Sequence, residues 1–442
     1  MISLERRFHL AANGTSAARE ALAGLTTFLT MGYIVFVQPA VLSAAGMDFG
    51  AVMVATCLST ALATALMALL ANYPIAVAPA MGHNFFFAYS VVVGMKVPWQ
   101  VALGAVAIAG VVFVLTAGIG LREHVITAIP ESLKHAIAAG IGLLIAMVGL
   151  QWAGLVVASP GTLVTLGTLH SRPAVVALAG LAVTAALMAR GVTGALLWGI
   201  LASAAIAFPL GILQYHGIAS PPPSLAPTLL QLDIAGALAP AMIPVVIVFF
   251  LLALFDSIGT LVAVGGQAGL MRGNSLPHAK QALLADAFGT VAAAALGTST
   301  VTAYIESSAG VAAGGRTGLT ALVTAALFLL TLFISPLVRM IGGGYTVGST
   351  TLYPVVAPAL ILVGALIIGT VRDIDWKDPT EAIPAFLTII VMPLAVSITE
   401  GVAFGMVAYV ILKVAAGRPR QVHPLLYVFA LLFVARYAFL RG

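Results

Sequence analysis

The amino-acid sequence predicts an all-α polytopic membrane protein of about fourteen transmembrane (TM) segments, arranged as two inverted repeats of seven. Three observations carry that expectation. The chain is 61% hydrophobic and only 7% charged over 442 residues, against roughly 25% charged in a soluble domain. Apolar windows of about twenty residues recur from Ala21 onward, each long enough to span a bilayer. Two spans, the third and the tenth, are interrupted in the same way at equivalent places in the two sets of seven. What remains is too little for a soluble domain.

The elements follow in order. Residues 1–20 read as a cytoplasmic N-terminus, because Met1–Leu10 is short, charged and lacks the apolar region of a signal peptide. Spans are expected near 21–43, 50–72, 75–93, 100–120, 135–157, 173–189 and 192–212, which form the first repeat over 21–212. Residues 213–240 hold Ser220-Pro-Pro-Pro223 and neither Lys nor Arg, and read as an extended extracytoplasmic linker. The second repeat, 241–416, has spans near 241–265, 281–297, 300–313, 318–339, 355–371, 383–398 and 400–416. The tail, 417–442, contains an apolar stretch over 423–440 with Arg436 inside it, read as interfacial. Trp99, Trp152 and Trp376 lie near span ends, as aromatic belts do.

Charge gives an independent check. With the N-terminus cytoplasmic, fourteen Lys and Arg between Arg6 and Arg420 fall inside, among them Arg122, Lys134 and Arg272. Only Lys96, Arg172 and Arg339 fall outside. This bias needs 75–93 and 300–313 each to count as one crossing. The surplus of +5 is scattered singly through loops, so it marks topology and not a nucleic-acid partner. Cys57 is the only cysteine, which excludes an intrachain disulfide and a cysteine-based metal site.

Both odd spans read as extended backbone running into a half-length helix. Asn72-Tyr-Pro-Ile-Ala-Val-Ala-Pro-Ala-Met-Gly-His-Asn84 carries Pro74, Pro79 and Gly82, and Gly297-Thr-Ser-Thr300 opens the other. Irregular backbone at membrane depth is tolerated only where protein or a water-filled cavity covers it. Paired interruptions in two halves point to a transporter's central site. Aligning Asn84 with Glu306 places Asp256 opposite Ile34, beside Tyr33.

Asp256 and Glu306 are acids inside these membrane-spanning runs. An acid at a span centre costs about 2.5–3.5 kcal/mol on insertion scales, so two of them point to a substrate, ion or proton pathway. They are expected to face one cavity and to accept N–H donors from a neutral polar solute; the alternative is that each caps or holds a neighbouring element. Asp286 fits a helix-to-helix brace as well as a functional acid. Thr260, four residues after Asp256, shares its helix face. Asn84 opens the half-helix and offers donor and acceptor to a ligand, or else caps the helix. His83 suits proton shuttling, but as a neighbour of Asn84 it is expected to point away from the cavity. Proton-coupling candidates are therefore Glu306, Asp256, Asp286 and His83.

Other motifs fail on context. Gly310-Val-Ala-Ala-Gly-Gly315-Arg316-Thr317 imitates a phosphate loop, yet no α/β core strand precedes it. Asn13-Gly-Thr15 fits a glycosylation acceptor but falls on the cytosolic side. No metalloprotease helix, nucleophile elbow or cysteine pair is found, which argues against an intramembrane enzyme. For Gly342–Thr351 the sequence suggests no function.

Four stretches together resemble the AzgA-like purine permeases of the nucleobase–ascorbate transporter superfamily. They are Gly24–Pro39, Phe255-Asp-Ser-Ile-Gly-Thr-Leu261, Gly297-Thr-Ser-Thr-Val-Thr-Ala-Tyr-Ile-Glu-Ser-Ser-Ala-Gly310 and Asp378-Pro-Thr-Glu-Ala-Ile-Pro-Ala-Phe386. The resemblance implies fourteen spans, a core domain of spans one to four and eight to eleven, and a gate domain of the others. It also implies proton-coupled uptake of hypoxanthine, guanine or adenine across the cell (inner) membrane. Carried over by position, the binding residues are Asn84, Asp256 and Glu306, with a backbone contact near Tyr304 and a side-chain contact near Thr260. Gln38 stands where the family has Asn, and Ala80-Met-Gly-His-Asn-Phe85 where it has Gly-Met-Gly-Leu-Asn-Ala; these departures bear on the preferred base. Expected partners are a purine base and the bilayer, with a homodimer as the only protein assembly entertained. No metal or cofactor is expected beyond the proton as coupling ion. The rival readings are an anion carrier of the same architecture, disfavoured by Glu306, and a channel or scaffold without coupled transport.

Overall fold

The computed structural model describes residues 2–119, 130–215, 217–271, 276–348 and 350–439. Arg122, Arg272, Ser349 and Leu440 lie outside them, as does the side chain of Arg436. Among the described residues, eight helical stretches are long and apolar enough to cross a membrane. The protein is a mostly helical, multi-pass membrane protein.

After α1 (Ile2–Phe8), the first span is two helices, α2 (Ala17–Met31) and α3 (Ile34–Ser43). Ser16 starts α2 by accepting from the Arg19 N–H, and the join at Gly32–Tyr33 breaks the span near its middle. α4 (Phe49–Leu70) is capped by Asp48. The chain then turns through Asn72 at φ +58° into strand β1 (Val77–Pro79), half-helix α5 (Met81–Phe85) and a π-helical run, Phe86–Gly94. Pro79 lacks an N–H, so a helix forms only beyond it. α6 (Trp99–Ile119) and α7 (Glu131–Trp152) follow, then the hairpin β2 (Val156–Ser159) and β3 (Leu163–Leu166), then α8 (Arg172–Ala189) and α9 (Ala195–Ala207).

The linker departs from expectation, being docked and partly helical rather than extended. It contains α10 (Ile234–Ala237), capped by Asp233, whose Oδ1 accepts from the Gly236 N–H at 2.9 Å. The Asp233 N–H reaches the Gln100 carbonyl at 2.9 Å, and the Leu230 N–H reaches Ala295 O at 2.7 Å. Such bonds satisfy backbone groups that a proline-rich coil would leave to water.

The second half repeats the pattern. α11 (Ile243–Gln267) and α12 (Ala279–Leu296) lead into β4 (Val301–Ala303) and half-helix α13 (Ser307–Ala312). α14 (Gly318–Thr331) and α15 (Ser335–Gly342) precede the hairpin β5 (Tyr345–Val347) and β6 (Thr350–Leu352), so part of the glycine-rich 342–351 stretch is a turn. α16 (Ala357–Ile367), α17 (Pro379–Ala395) and α18 (Ile398–Ala415) follow. The apolar tail forms α19 (Pro424–Phe439), packed on α18.

Two packing groups emerge. α4, α6, α12 and α14 pack on one another with α2, α11 and α13, while α7, α16, α17 and α18 pack together with α8 and α9. Small residues permit the close approaches inside each group, as is usual between helices in lipid. A Cβ on Gly310 would lie 2.0 Å from Thr27 Oγ1, and one on Gly405 1.8 Å from Thr388 Oγ1. Contacts between the groups include α5 on α7, where a Cβ on Gly82 would meet Ile141 at 2.9 Å.

The carboxylate of Glu20, fully buried on α2, ties the first group together. It accepts from the N–H groups of Arg316, Thr317 and Thr320 at 2.9–3.2 Å and from the hydroxyls of Thr317 and Thr320. It thereby satisfies the start of α14, whose first N–H groups have no partner within the helix.

Candidate functional site

The two interrupted segments meet strand to strand. β1 and β4 pair antiparallel, with Val77 opposite Ala303 and Pro79 opposite Val301. The Tyr304 N–H continues the ladder to Ala76 O at 2.9 Å, and the Ala80 N–H reaches Thr300 O at 3.1 Å. Side chains close the remaining valences. Thr64 on α4 exchanges two bonds with the backbone of Val77, at 2.9 and 3.0 Å, and Thr290 on α12 donates to Val301 O at 3.1 Å. An open two-stranded ribbon in the bilayer is thus sealed by hydroxyls from flanking helices. Each strand runs straight into its half-helix, and neither helix start has a side-chain cap.

Beside this ribbon lies a cavity of about 960 Å³. His83, Asp256, Thr260, Tyr304 and Glu306 all line it. The Asp256 carboxylate is open to the cavity and Glu306 is half-buried at its wall. Each acid is held by one hydroxyl. Tyr33 Oη donates to Glu306 Oε1 at 2.9 Å, and Thr302 Oγ1 donates to Asp256 Oδ2 at 2.9 Å. Thr30 adds a bond to the Glu306 carbonyl at 3.2 Å. A carboxylate offers about four acceptor positions, so both acids retain capacity for N–H donors in the cavity. Tyr304 turns its hydroxyl to the Pro79 carbonyl, which locks the two broken segments together.

Two predicted residues are placed elsewhere. Asn84, expected to contact the ligand, is not among the residues that line this cavity. It is fully buried, its Oδ1 accepts from Ser299 Oγ, and Gln38 Nε2 donates in turn to Thr298 and Ser299 at 2.9 and 3.2 Å. Nor does Asn84 cap the half-helix, because the residue before α5 is Ala80. His83, expected to point away, is the one at the cavity wall. The exchange follows from helix geometry: neighbouring residues are about 100° apart around the axis, and Ser299 claims the Asn84 side. Asp286 is fully buried behind β4, where its Oδ2 accepts from the Ala303 N–H at 3.2 Å. It braces the strand and does not line the cavity.

Several residues at the site escaped the sequence reading. Thr302 holds Asp256, but in the sequence it is one threonine among several in a short strand. Tyr33 had one signal, its place opposite Asp256 in the repeat alignment. Glu131, Lys134 and His135, from the first turns of α7, also join the lining. Lys134 pairs with Glu131 at 2.8 Å and sits 5.5 Å over the ring of Phe255, next to Asp256.

A helical membrane protein whose two half-helices and paired strands flank one acidic cavity has the build of a solute permease. Residues 18–404 match the Xan_ur_permease profile, described as "Permease family", and the chain belongs to that family of transporters, not to an enzyme family. It is 44% identical over 438 residues to the adenine permease AdeP of Escherichia coli, covering 99% of this chain and 96% of that one. It is 45% identical over 432 residues to the guanine/hypoxanthine permease PbuO of Bacillus subtilis, covering 96% and 98%. Among solved structures, the transmembrane domain of the cyanobacterium bicarbonate transporter BicA superposes with a TM-score of 0.64 over 87% of this chain and 97% of that one. At 19% identity that likeness concerns the fold alone.

Proposed function

We propose that this permease takes up purine bases together with protons, by alternating access across the cell (inner) membrane. One observation carries the reading: Asp256 on α11 and Glu306 at the start of half-helix α13 line one cavity beside the β1–β4 ribbon. A purine is a flat neutral solute with N–H donors and ring acceptors. Two carboxylates suit its donors, and Thr260 and the Tyr304 backbone complete the contact set. The adenine and guanine/hypoxanthine permeases among its relatives support the substrate class.

Glu306 is the proposed proton carrier, with Asp256 as its partner; Asp286 behind β4 and His83 at the cavity wall are the remaining candidates. A carboxyl at a cavity wall exchanges its proton with whichever side has access. With the N-terminus cytoplasmic, Lys134 and His135 mark the cytoplasmic end of the cavity, so this conformation faces inward. The packing group around α4, α12 and α14 then acts as core, and the group around α7, α17 and α18 as the gate that moves against it. The anion-carrier alternative is opposed by two carboxylates at the cavity wall.

The test is uptake of radiolabelled hypoxanthine, guanine and adenine in cells lacking their own purine carriers, with cross-competition and a protonophore. Saturable uptake that collapses with the protonophore is expected. Uptake insensitive to it but lost on replacing sodium assigns coupling to sodium, and no uptake of any purine overturns the reading.

A further inference from the structure

His83 is buried to 3% exposure at the seam where α5 meets α11, and it forms part of the cavity wall. Among the described residues neither ring nitrogen has a partner at full hydrogen-bond geometry, and the Leu252 carbonyl is the acceptor that faces the ring, which leaves at least one nitrogen open. That carbonyl is on α11 and belongs to a residue that itself lines the cavity. Buried polar atoms are nearly always paired, and an orphaned pair on one ring calls for an explanation. The other buried orphans among the described residues are one atom each, either single hydroxyls such as those of Tyr73 and Thr300 or the second atom of an anchored side chain, as in Gln38 and Asp286. His83 is the one side chain with both of its polar atoms in that set, and it stands at the cavity wall.

We infer that His83 is a substrate-contacting, specificity-determining residue, supplying the base edge opposite the carboxylates with a hydrogen bond. This rests on the purine reading above. The two carboxylates leave that role to another residue. In their ionised form Asp256 and Glu306 only accept, and each already takes one hydroxyl, so in that form they match the N–H groups of a base and not its ring nitrogens or carbonyl oxygen. Neutral imidazole carries one donor and one acceptor, and a change of tautomer exchanges them. The terminal torsion of histidine is broad, so rotation brings a nitrogen from the α5–α11 seam to a base lying against α5. Because the ring can present either donor or acceptor, His83 accommodates both oxo- and amino-substituted purines.

The test pairs protein and ligand changes. Apparent affinities of adenine and hypoxanthine, and of their 1-, 3- and 7-deaza analogues, are measured by competition against wild type, His83→Leu and His83→Gln. In wild type, one deaza analogue should bind about tenfold more weakly than its parent, the effect of losing one hydrogen bond in a desolvated site. His83→Leu should weaken the parent by a similar factor and abolish the difference for that analogue alone, while His83→Gln preserves part of it. Equal relative affinities across all analogues in wild type and His83→Leu overturn the inference, whether the overall affinity is unchanged or uniformly lower. If His83→Leu does not reach the membrane, His83→Phe keeps a ring of similar width and the same criterion applies. Wild type that transports no purine removes the underlying reading, a result distinct from purine transport without His83 coupling.

Discussion

Tyr33 and Glu306 are joined across the two halves of the chain by a hydrogen bond of 2.9 Å, phenol to carboxylate. Tyr33 sits at the break between α2 and α3, and Glu306 at the start of α13. The partner relation, Thr302 to Asp256, also measures 2.9 Å and also links two elements. Each acid is thus held by a hydroxyl from a different segment, which fixes its rotamer and leaves oxygen lone pairs for the cavity. In the repeat alignment, the neighbourhood of Tyr33 is equivalent to that of Asp256. One half carries a phenol where the other carries an acid, so the two halves frame the cavity without repeating a charge.

Asp256→Asn and Glu306→Gln are each expected to abolish purine uptake while membrane levels stay normal, since the amides keep size and polarity but lose charge. Tyr33→Phe should be milder. It removes one hydrogen bond to a charged group, worth about 1.5–3 kcal/mol, and should weaken uptake by roughly ten- to a hundredfold. Transport kinetics alongside quantified protein in the membrane decide this. Wild-type uptake by both acid variants would falsify the site.

Much of this architecture was legible in the sequence, and the residues that were not share a cause. The two broken segments announced themselves through Pro74, Pro79 and the glycines, because backbone irregularity needs particular residue types. Asp256 and Glu306 stood out because charge in an apolar run is costly. Glu20 did not, since an acid at the start of a span looks ordinary; its partners lie at Arg316–Thr320, in the other half of the chain. The exchange of His83 and Asn84 was hidden likewise. Which of two adjacent polar residues faces a cavity depends on what packs behind the helix, and Ser299 and Gln38 are remote in sequence.

Asn84 is expected to act through the wall and not on the substrate. With its Oδ1 accepting from Ser299, Asn84→Ala leaves the buried Ser299 hydroxyl without its acceptor, at a cost of about 1–3 kcal/mol. All purines should then be weakened alike, with a lower melting temperature in detergent. A double-mutant cycle with Ser299→Ala should show strong non-additivity. A changed rank order among hypoxanthine, guanine and adenine, with stability intact, would return Asn84 to the binding surface.

A pH effect on stability is expected at Asp378, outside the spans. The Thr380 N–H and hydroxyl donate to its Oδ1 at 2.9 and 2.8 Å, and Lys413 and Arg418 flank its Oδ2 at 3.8 and 2.7 Å. These partners, the Thr380 N–H first, lower its carboxyl to about 2, against about 3.9 for a free aspartate. The folded state therefore binds this proton less readily than the unfolded one. The stabilisation is complete above about pH 4 and is lost as pH falls toward about 2. Melting curves of the detergent-solubilised protein between pH 7 and pH 2.5 should fall more steeply for wild type than for Asp378→Asn at the acid end. Parallel curves would show that Asp378 contributes nothing to acid stability.

The end of α7 away from Lys134 is shut by aromatic side chains. Trp152 Nε1 donates to Tyr89 Oη at 2.8 Å, the Trp152 and Tyr353 rings lie 4.3 Å apart, and Phe85 stacks on Tyr89 at 5.5 Å. Tyr89 belongs to the π-helical run after α5, whereas Trp152 ends α7 and Tyr353 follows the β5–β6 hairpin, so the cluster ties the two packing groups together. α7 has 22 residues and is therefore about 33 Å long, which sets this cluster a membrane's thickness from Glu131 at the start of α7. It is expected to be the outer closure. One hydrogen bond and an aromatic pair contribute roughly 1–3 kcal/mol together, so Trp152→Ala should raise the outward-open population by about tenfold or more. Cysteine placed at Ile137, in the cavity lining, reports the change through labelling by an impermeant thiol reagent; native Cys57 is fully buried. In right-side-out vesicles, Ile137→Cys alone should label slowly from outside, and the addition of Trp152→Ala should speed that labelling. Tyr89→Phe, which weakens the bond but keeps the ring, should fall between them. Identical outside labelling in all three places the closure elsewhere.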